Sequence, residues 1–141
     1  QEIAKVLRIF GLEFGFRVAS AHKTPEKILK IMKEDEQEKV VYITVAGRSN
    51  ALSAFVDAAT TRPVIACPPY SEKFAGMDIY SSLRVPSGIA SLTTIEPEGA
   101  ALAAAKILAL EDETLDKRVR QYQESKKREI EKADETARQL K

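Results

Sequence analysis

The chain has no tryptophan, one cysteine (Cys67) and one histidine (His22), and its 22 lysines and arginines are nearly balanced by 21 aspartates and glutamates. Each shortage excludes something. A single cysteine rules out an internal disulfide framework and fits a reducing compartment, the cytosol. One cysteine and one histidine cannot build a Cys/His zinc cage, and the carboxylates show no ordered ligand spacing, so no metal is expected. A net charge of +1 offers no field for nucleic acid or an anionic membrane surface. No apolar run approaches the roughly 20 residues that a membrane span requires. There is no glycine-rich phosphate loop with lysine, so adenosine triphosphate use has no support, and there is no dinucleotide fingerprint.

What remains is an ordinary core-forming composition, 44% hydrophobic over 141 residues. Ile3, Val6, Leu7 and Phe10 recur at helical spacing and Gly11 stops the helix. A domain of alternating units would open on a strand, so a strand and its loop are expected to precede this helix in the natural protein. Phe14 to Val18 alternates apolar residues like a short strand. Thr24-Pro25-Glu26 then supplies a cap, a first-turn proline and an early acid for a helix with Ile28, Leu29, Ile31 and Met32 inward. The charged residues 33–39 read as a solvated turn.

Val40 to Val45, nearly all β-branched, reads as a parallel strand buried on both faces. A helix with Leu52, Phe55 and Val56 inward follows. Residues 63–67 form the next strand, ending at Pro68-Pro69, and a loop and short helix run from Asp78 to Arg84. Ile89 to Ile95 is the last expected strand. Glu96-Pro97-Glu98 starts an alanine-rich helix reaching about Leu110. Strands and helices alternate, which makes this an α/β protein: a three-layer sandwich, flavodoxin- or Rossmann-like, with a parallel sheet between helices. Residues 1–110 read as the α/β domain and 111–141 as a helical extension. In the extension Leu115, Val119, Tyr122, Ile130, Ala133, Ala137 and Leu140 keep a three-four spacing on a charged helix. That stripe fits packing on its own domain or on another subunit.

Three strand-to-helix junctions should meet at one sheet edge, where open α/β sheets bind ligands. They are Ser20-Ala21-His22-Lys23, Ala46-Gly47-Arg48-Ser49-Asn50 and Cys67-Pro68-Pro69-Tyr70-Ser71. Imidazole exchanges protons near neutral pH, and a helix N-terminus with a neighbouring lysine attracts phosphate. Taken singly, each feature has a plainer reading. A loop histidine is often structural, Gly47 need only form a tight turn, Asn50 need only cap its helix, and Cys67 is an ordinary small core residue.

Together, Ser20 to Pro25, Ala46 to Ser53, Cys67-Pro68-Pro69 and Asp78 to Gly88 resemble the aminoimidazole ribonucleotide carboxylase (PurE) family of purine biosynthesis. The likeness runs in order over about residues 1–110. The mutase branch of that family typically reads Ala-His-Arg-Thr, then Ala-Gly-Gly-Ala-Ala-His. Lys23 and Arg48-Ser49-Asn50 look instead like the branch that uses free carbon dioxide. The resemblance implies that carbon dioxide carboxylates 5-aminoimidazole ribonucleotide at a ring carbon. His22 would be the catalytic base, with Ser20, Ala21 and Lys23 near the phosphate. Ala46, Gly47, Arg48, Ser49 and Asn50 would line the base and carboxyl pocket. It further implies no cofactor, a cytoplasmic homo-oligomer (octamer or tetramer), and a Gly-Ser-x-Ser-Asp loop that this chain does not contain. The alternatives are the mutase reaction on the N-carboxylated isomer and a non-catalytic phosphoribosyl-binding module.

Overall fold

A computed structural model describes residues 1–35 and 38–140. Six α-helices and three strands follow the expected order: α1 Glu2–Ile9, α2 Pro25–Glu34, β1 Tyr42–Thr44, α3 Ala51–Ala58, β2 Val64–Ala66, α4 Tyr80–Leu83, β3 Leu92–Thr93, α5 Pro97–Leu108 and α6 Glu113–Arg138. Glu36 and Gln37, inside the turn expected over 33–39, lie outside the described residues.

The strands form one parallel sheet in the order β1-β2-β3, with Ile43 beside Ile65 and Ile65 beside Leu92. Side chains alternate across a strand, and β2 shows why both faces must be covered. Val64 joins Ile28, Ile31, Met32 and Val56 under α2 and α3. Ile65, one residue on, joins Ala100 and Ala104 of α5, with Ile3 of α1 packed against them. This is the expected three-layer α/β arrangement. Alanines at 100, 101, 104 and 105 are all buried, and their small side chains let α1, the sheet and α6 pack closely around α5.

One expected strand does not form. Residues 14–18 have no ladder partner among the described residues, and Phe16 and Val18 are 73% and 82% exposed. Alternation describes an extended backbone, but a strand exists only where a neighbour accepts its hydrogen bonds. The strands that do form are also shorter than the apolar runs containing them; the run Ile89 to Ile95 yields only Leu92–Thr93.

The C-terminal helix divides into two unlike halves. Leu115 and Val119 are buried with Phe10 and Ala105, and Tyr122 packs beside them. Arg118 Nη1 donates to the Phe10 carbonyl at 2.8 Å, satisfying an orphan acceptor at the end of α1. That guanidinium lies where a Cβ on Gly11 would sit, and Gly11 has φ +67°, so two constraints demand glycine there. Tyr122 also donates to Glu98. Beyond Tyr122 every described residue of α6 is exposed, including Ile130.

Candidate functional site

All three strands run in one direction, so the segments after Thr44, Ala66 and Thr93 emerge at the same edge of the sheet. The loop after β1 is the most heavily constrained of them. Asn50 is buried and caps α3: its Oδ1 accepts from the Ser53 N–H at 3.2 Å. Its Nδ2 donates to Ser53 Oγ at 2.7 Å and to Ser82 Oγ at 2.8 Å. Ser53 Oγ in turn lies 2.8 Å from Thr44 Oγ1, at the end of β1. Buried polar groups are costly unless paired, and here each one is paired.

Two residues earlier the backbone turns left-handed. Arg48 has φ +61°, a conformation that costs a non-glycine residue about 1 kcal/mol or more. Its N–H donates to Asp78 Oδ2 at 2.7 Å. Its carbonyl shares the Ser81 hydroxyl proton with the Asp78 carbonyl, at 2.7 and 2.8 Å, and Ser81 Oγ also accepts the Asn50 N–H at 2.9 Å. Gly47 lies close to the same groups, since a Cβ there would stand 3.4 Å from Asp78 Oδ2 and 3.5 Å from Pro69 Cγ. The junctions at 46–50 and 67–71 therefore converge, together with residues 78–82.

The Ser20–Lys23 segment is a hydrogen-bonded turn. The Ser20 N–H donates to Thr24 Oγ1 at 2.9 Å, and the Thr24 N–H returns to the Ser20 carbonyl at 2.8 Å. Thr24 is the residue before α2, yet its hydroxyl serves this turn instead of the helix cap. The N–H of Lys23 bonds to Ser20 as well. Attraction for an anion here therefore falls to the Lys23 ammonium and the α2 dipole, because these turn amides are already occupied. His22 and Lys23 are exposed. Ala21 packs against the same cluster as Leu52 of α3, which seats this turn and the helix after the loop on shared core. No hydrogen bond among the described residues joins the His22 or Lys23 side chain to residues 46–50.

Cys67 is buried at the end of β2, and burial pushes its thiol pKa up. A protonated, enclosed thiol is a core group and not a nucleophile. Among the described residues no group of three or more histidine, cysteine, aspartate or glutamate side chains is placed to hold a metal. No helix there is long and apolar enough to cross a membrane. Ser81, Ser82 and Asp78, which the sequence placed only in a loop and short helix, hold the loop after β1. Their signal was Asp78-x-x-Ser81-Ser82, an acid just before the short α4 and two hydroxyls within it.

Comparison with known proteins gives a consistent result. The family model described as AIR carboxylase matches residues 1–129. A phosphoribosylaminoimidazole carboxylase of Archaeoglobus fulgidus is 61% identical over 138 residues, covering 98% of this chain and 77% of that protein. One from Treponema denticola is 49% identical over 132 residues, covering 92% and 83%. The bifunctional phosphoribosylaminoimidazole carboxylase/phosphoribosylaminoimidazole succinocarboxamide synthetase of Mus musculus is 43% identical over 112 residues, which are 78% of this chain but 26% of that protein. The crystal structure of Treponema denticola PurE superposes with a TM-score of 0.92 at 48% identity, covering 96% of this chain and 87% of that one. The chain belongs to the AIR carboxylase family.

Proposed function

We propose that this protein is an enzyme carboxylating 5-aminoimidazole ribonucleotide with carbon dioxide, without adenosine triphosphate, in the cytoplasm. The observation that carries the reading is the chain's only imidazole, exposed on a hydrogen-bonded turn before α2 whose Ala21 shares core with the helix after the constrained loop 46–50. The substrate ring is electron-rich and enamine-like. Its nucleophilic carbon forms a bond to carbon dioxide, and the proton on that carbon must then leave to restore aromaticity. His22 accepts that proton, and returns it in the reverse direction. Lys23, with Ser20 and Ala21 in the same turn, faces the phosphate. Ala46, Gly47, Arg48, Ser49 and Asn50 surround the base and the growing carboxylate; with the Arg48 and Asn50 amides bonded to Asp78 and Ser81, the Arg48 guanidinium and the Ser49 hydroxyl are left to meet that charge.

Arg48 favours free carbon dioxide over the mutase reaction. The mutase branch has glycine at that place, where φ +61° is free of strain, and this chain holds an arginine there at a cost. An ultraviolet assay with the natural full-length protein, aminoimidazole ribonucleotide and bicarbonate tests the reading. Bicarbonate-dependent carboxylation is expected. Turnover of the N-carboxylated isomer alone makes the protein a mutase, and silence with both leaves a binding module.

The outer half of α6 and the residues just after it support a homo-oligomeric enzyme, since Ile130 and Leu140 have no cover in the monomer. None of the described residues from 129 to 140 is buried, so removing residues 129–141 leaves the described core intact. Light scattering is expected to report a smaller assembly with an unchanged melting temperature. An unchanged mass would remove this half of α6 from assembly.

A further inference from the structure

The segment at 78–82 has no assigned part in the chemistry, yet it holds the loop after β1 by every polar backbone group of Arg48. We propose that Asp78 is a positioning residue for the reaction: its carboxylate holds the Arg48 N–H and thereby keeps Gly47 to Asn50 in the shape that receives the base and the carboxyl group. The inference rests on the carboxylase reading above.

Three observations converge on it. Arg48 is one of only two non-glycine residues with positive φ among the described residues, and an isolated left-handed arginine relaxes unless neighbours over-determine it. Asp78 and Ser81 do so from opposite sides, taking its N–H at 2.7 Å and its carbonyl at 2.7 Å. Gly47 adjoins the same carboxylate, for a Cβ there would meet Asp78 Oδ2 at 3.4 Å and Pro69 Cγ at 3.5 Å, ordinary contact distances, so Asp78 packs beside both residues of the turn. A charged acceptor makes the stronger hydrogen bond, so Asp78 is the firmer of the two holds. Asp78 touches neither His22 nor Lys23 in any hydrogen bond described above, so it acts on the reaction only through the loop.

Asp78→Ala and Asp78→Asn separate this role from general stability. Asparagine keeps an acceptor oxygen of the same reach; alanine does not. With aminoimidazole ribonucleotide and bicarbonate, Asp78→Ala is expected to lower kcat at least tenfold. KM for the ribonucleotide should move less than threefold, because the phosphate is held elsewhere, at Ser20 and Lys23. Asp78→Asn is expected to recover most of kcat. In parallel, amide hydrogen exchange followed by nuclear magnetic resonance should show faster exchange of the Arg48 N–H in Asp78→Ala and near-normal protection in Asp78→Asn. An Asp78→Ala enzyme that keeps kcat within twofold overturns the proposal, as does an Asp78→Asn enzyme no better than Asp78→Ala. If the unsubstituted protein is itself inactive but Asp78→Ala still frees the Arg48 amide, the carboxylase reading falls and the structural hold stands. If that amide exchanges alike in all three proteins, the hold itself is overturned.

Discussion

Replacing His22 with asparagine is expected to lower turnover of aminoimidazole ribonucleotide and bicarbonate by about 100- to 10,000-fold, the usual worth of a positioned general acid or base. The side chain is exposed, so the fold loses no packing and the melting temperature should not change. Asparagine is polar and of similar reach but cannot take up a proton near neutral pH. Ribonucleotide binding, read as a ligand-induced rise in melting temperature, should therefore persist. The pair of readouts distinguishes three roles. Loss of turnover with retained binding assigns His22 to the proton transfer. Loss of both assigns it to binding, and retained turnover removes it from the mechanism. Because this is the only imidazole in the sequence, no other histidine among these 141 residues can take over its role.

The largest expected effect on stability is that of Phe10→Ala. Phe10 is fully buried at the end of α1, where it meets Ala105, Leu115 and Val119 and sets its ring edge-on to Tyr122 at 5.0 Å. Truncating a buried phenylalanine costs about 3–5 kcal/mol, through lost transfer energy and the cavity that remains. For a chain of this length that corresponds to a fall in melting temperature of roughly 10 °C or more. Against a typical total stability of about 5–15 kcal/mol, the variant would carry a measurable unfolded fraction at growth temperature. Denaturant unfolding checks it: the midpoint should drop while the slope stays constant. Ile9→Ala, one residue earlier and mostly exposed, serves as the control and should cost little. A small shift for Phe10→Ala would mean that α1 and α6 lie outside the cooperative unit.

Helix positions and the layer order were legible in the sequence because two periodicities carry them. The three-four spacing of Ile28, Ile31 and Met32, and the β-branched run around Ile43, each have one good solution, and the structure adopts it. Asn50 was legible as a cap for the same local reason. Residues 14–18 were not, because pairing is a property of two segments and alternation belongs to one. The two halves of α6 share one stripe, so the pattern gives no sign that Leu115 is buried and Ile130 exposed; that depends on what packs beside each half. At the candidate site, the sequence marked Gly47 to Asn50 but not what holds them. Asp78 lies 30 residues from Arg48, and hydrogen bonds over that separation leave no periodic trace.

The bond from Arg118 to the Phe10 carbonyl spans 108 residues of chain, and it has a temporal side. The ribosome makes α1 well before α6. At about 5–20 residues per second, some 5–20 s pass before the partner of Phe10 exists. Through that interval the most deeply buried aromatic of the finished protein is a sticky nascent surface. The α2–β1–α3–β2 layer, whose contacts are nearer in sequence, has time to form beforehand. Biogenesis should therefore be most vulnerable at the α1–α6 seam, and chaperone capture of nascent chains should centre on α1 and Phe10.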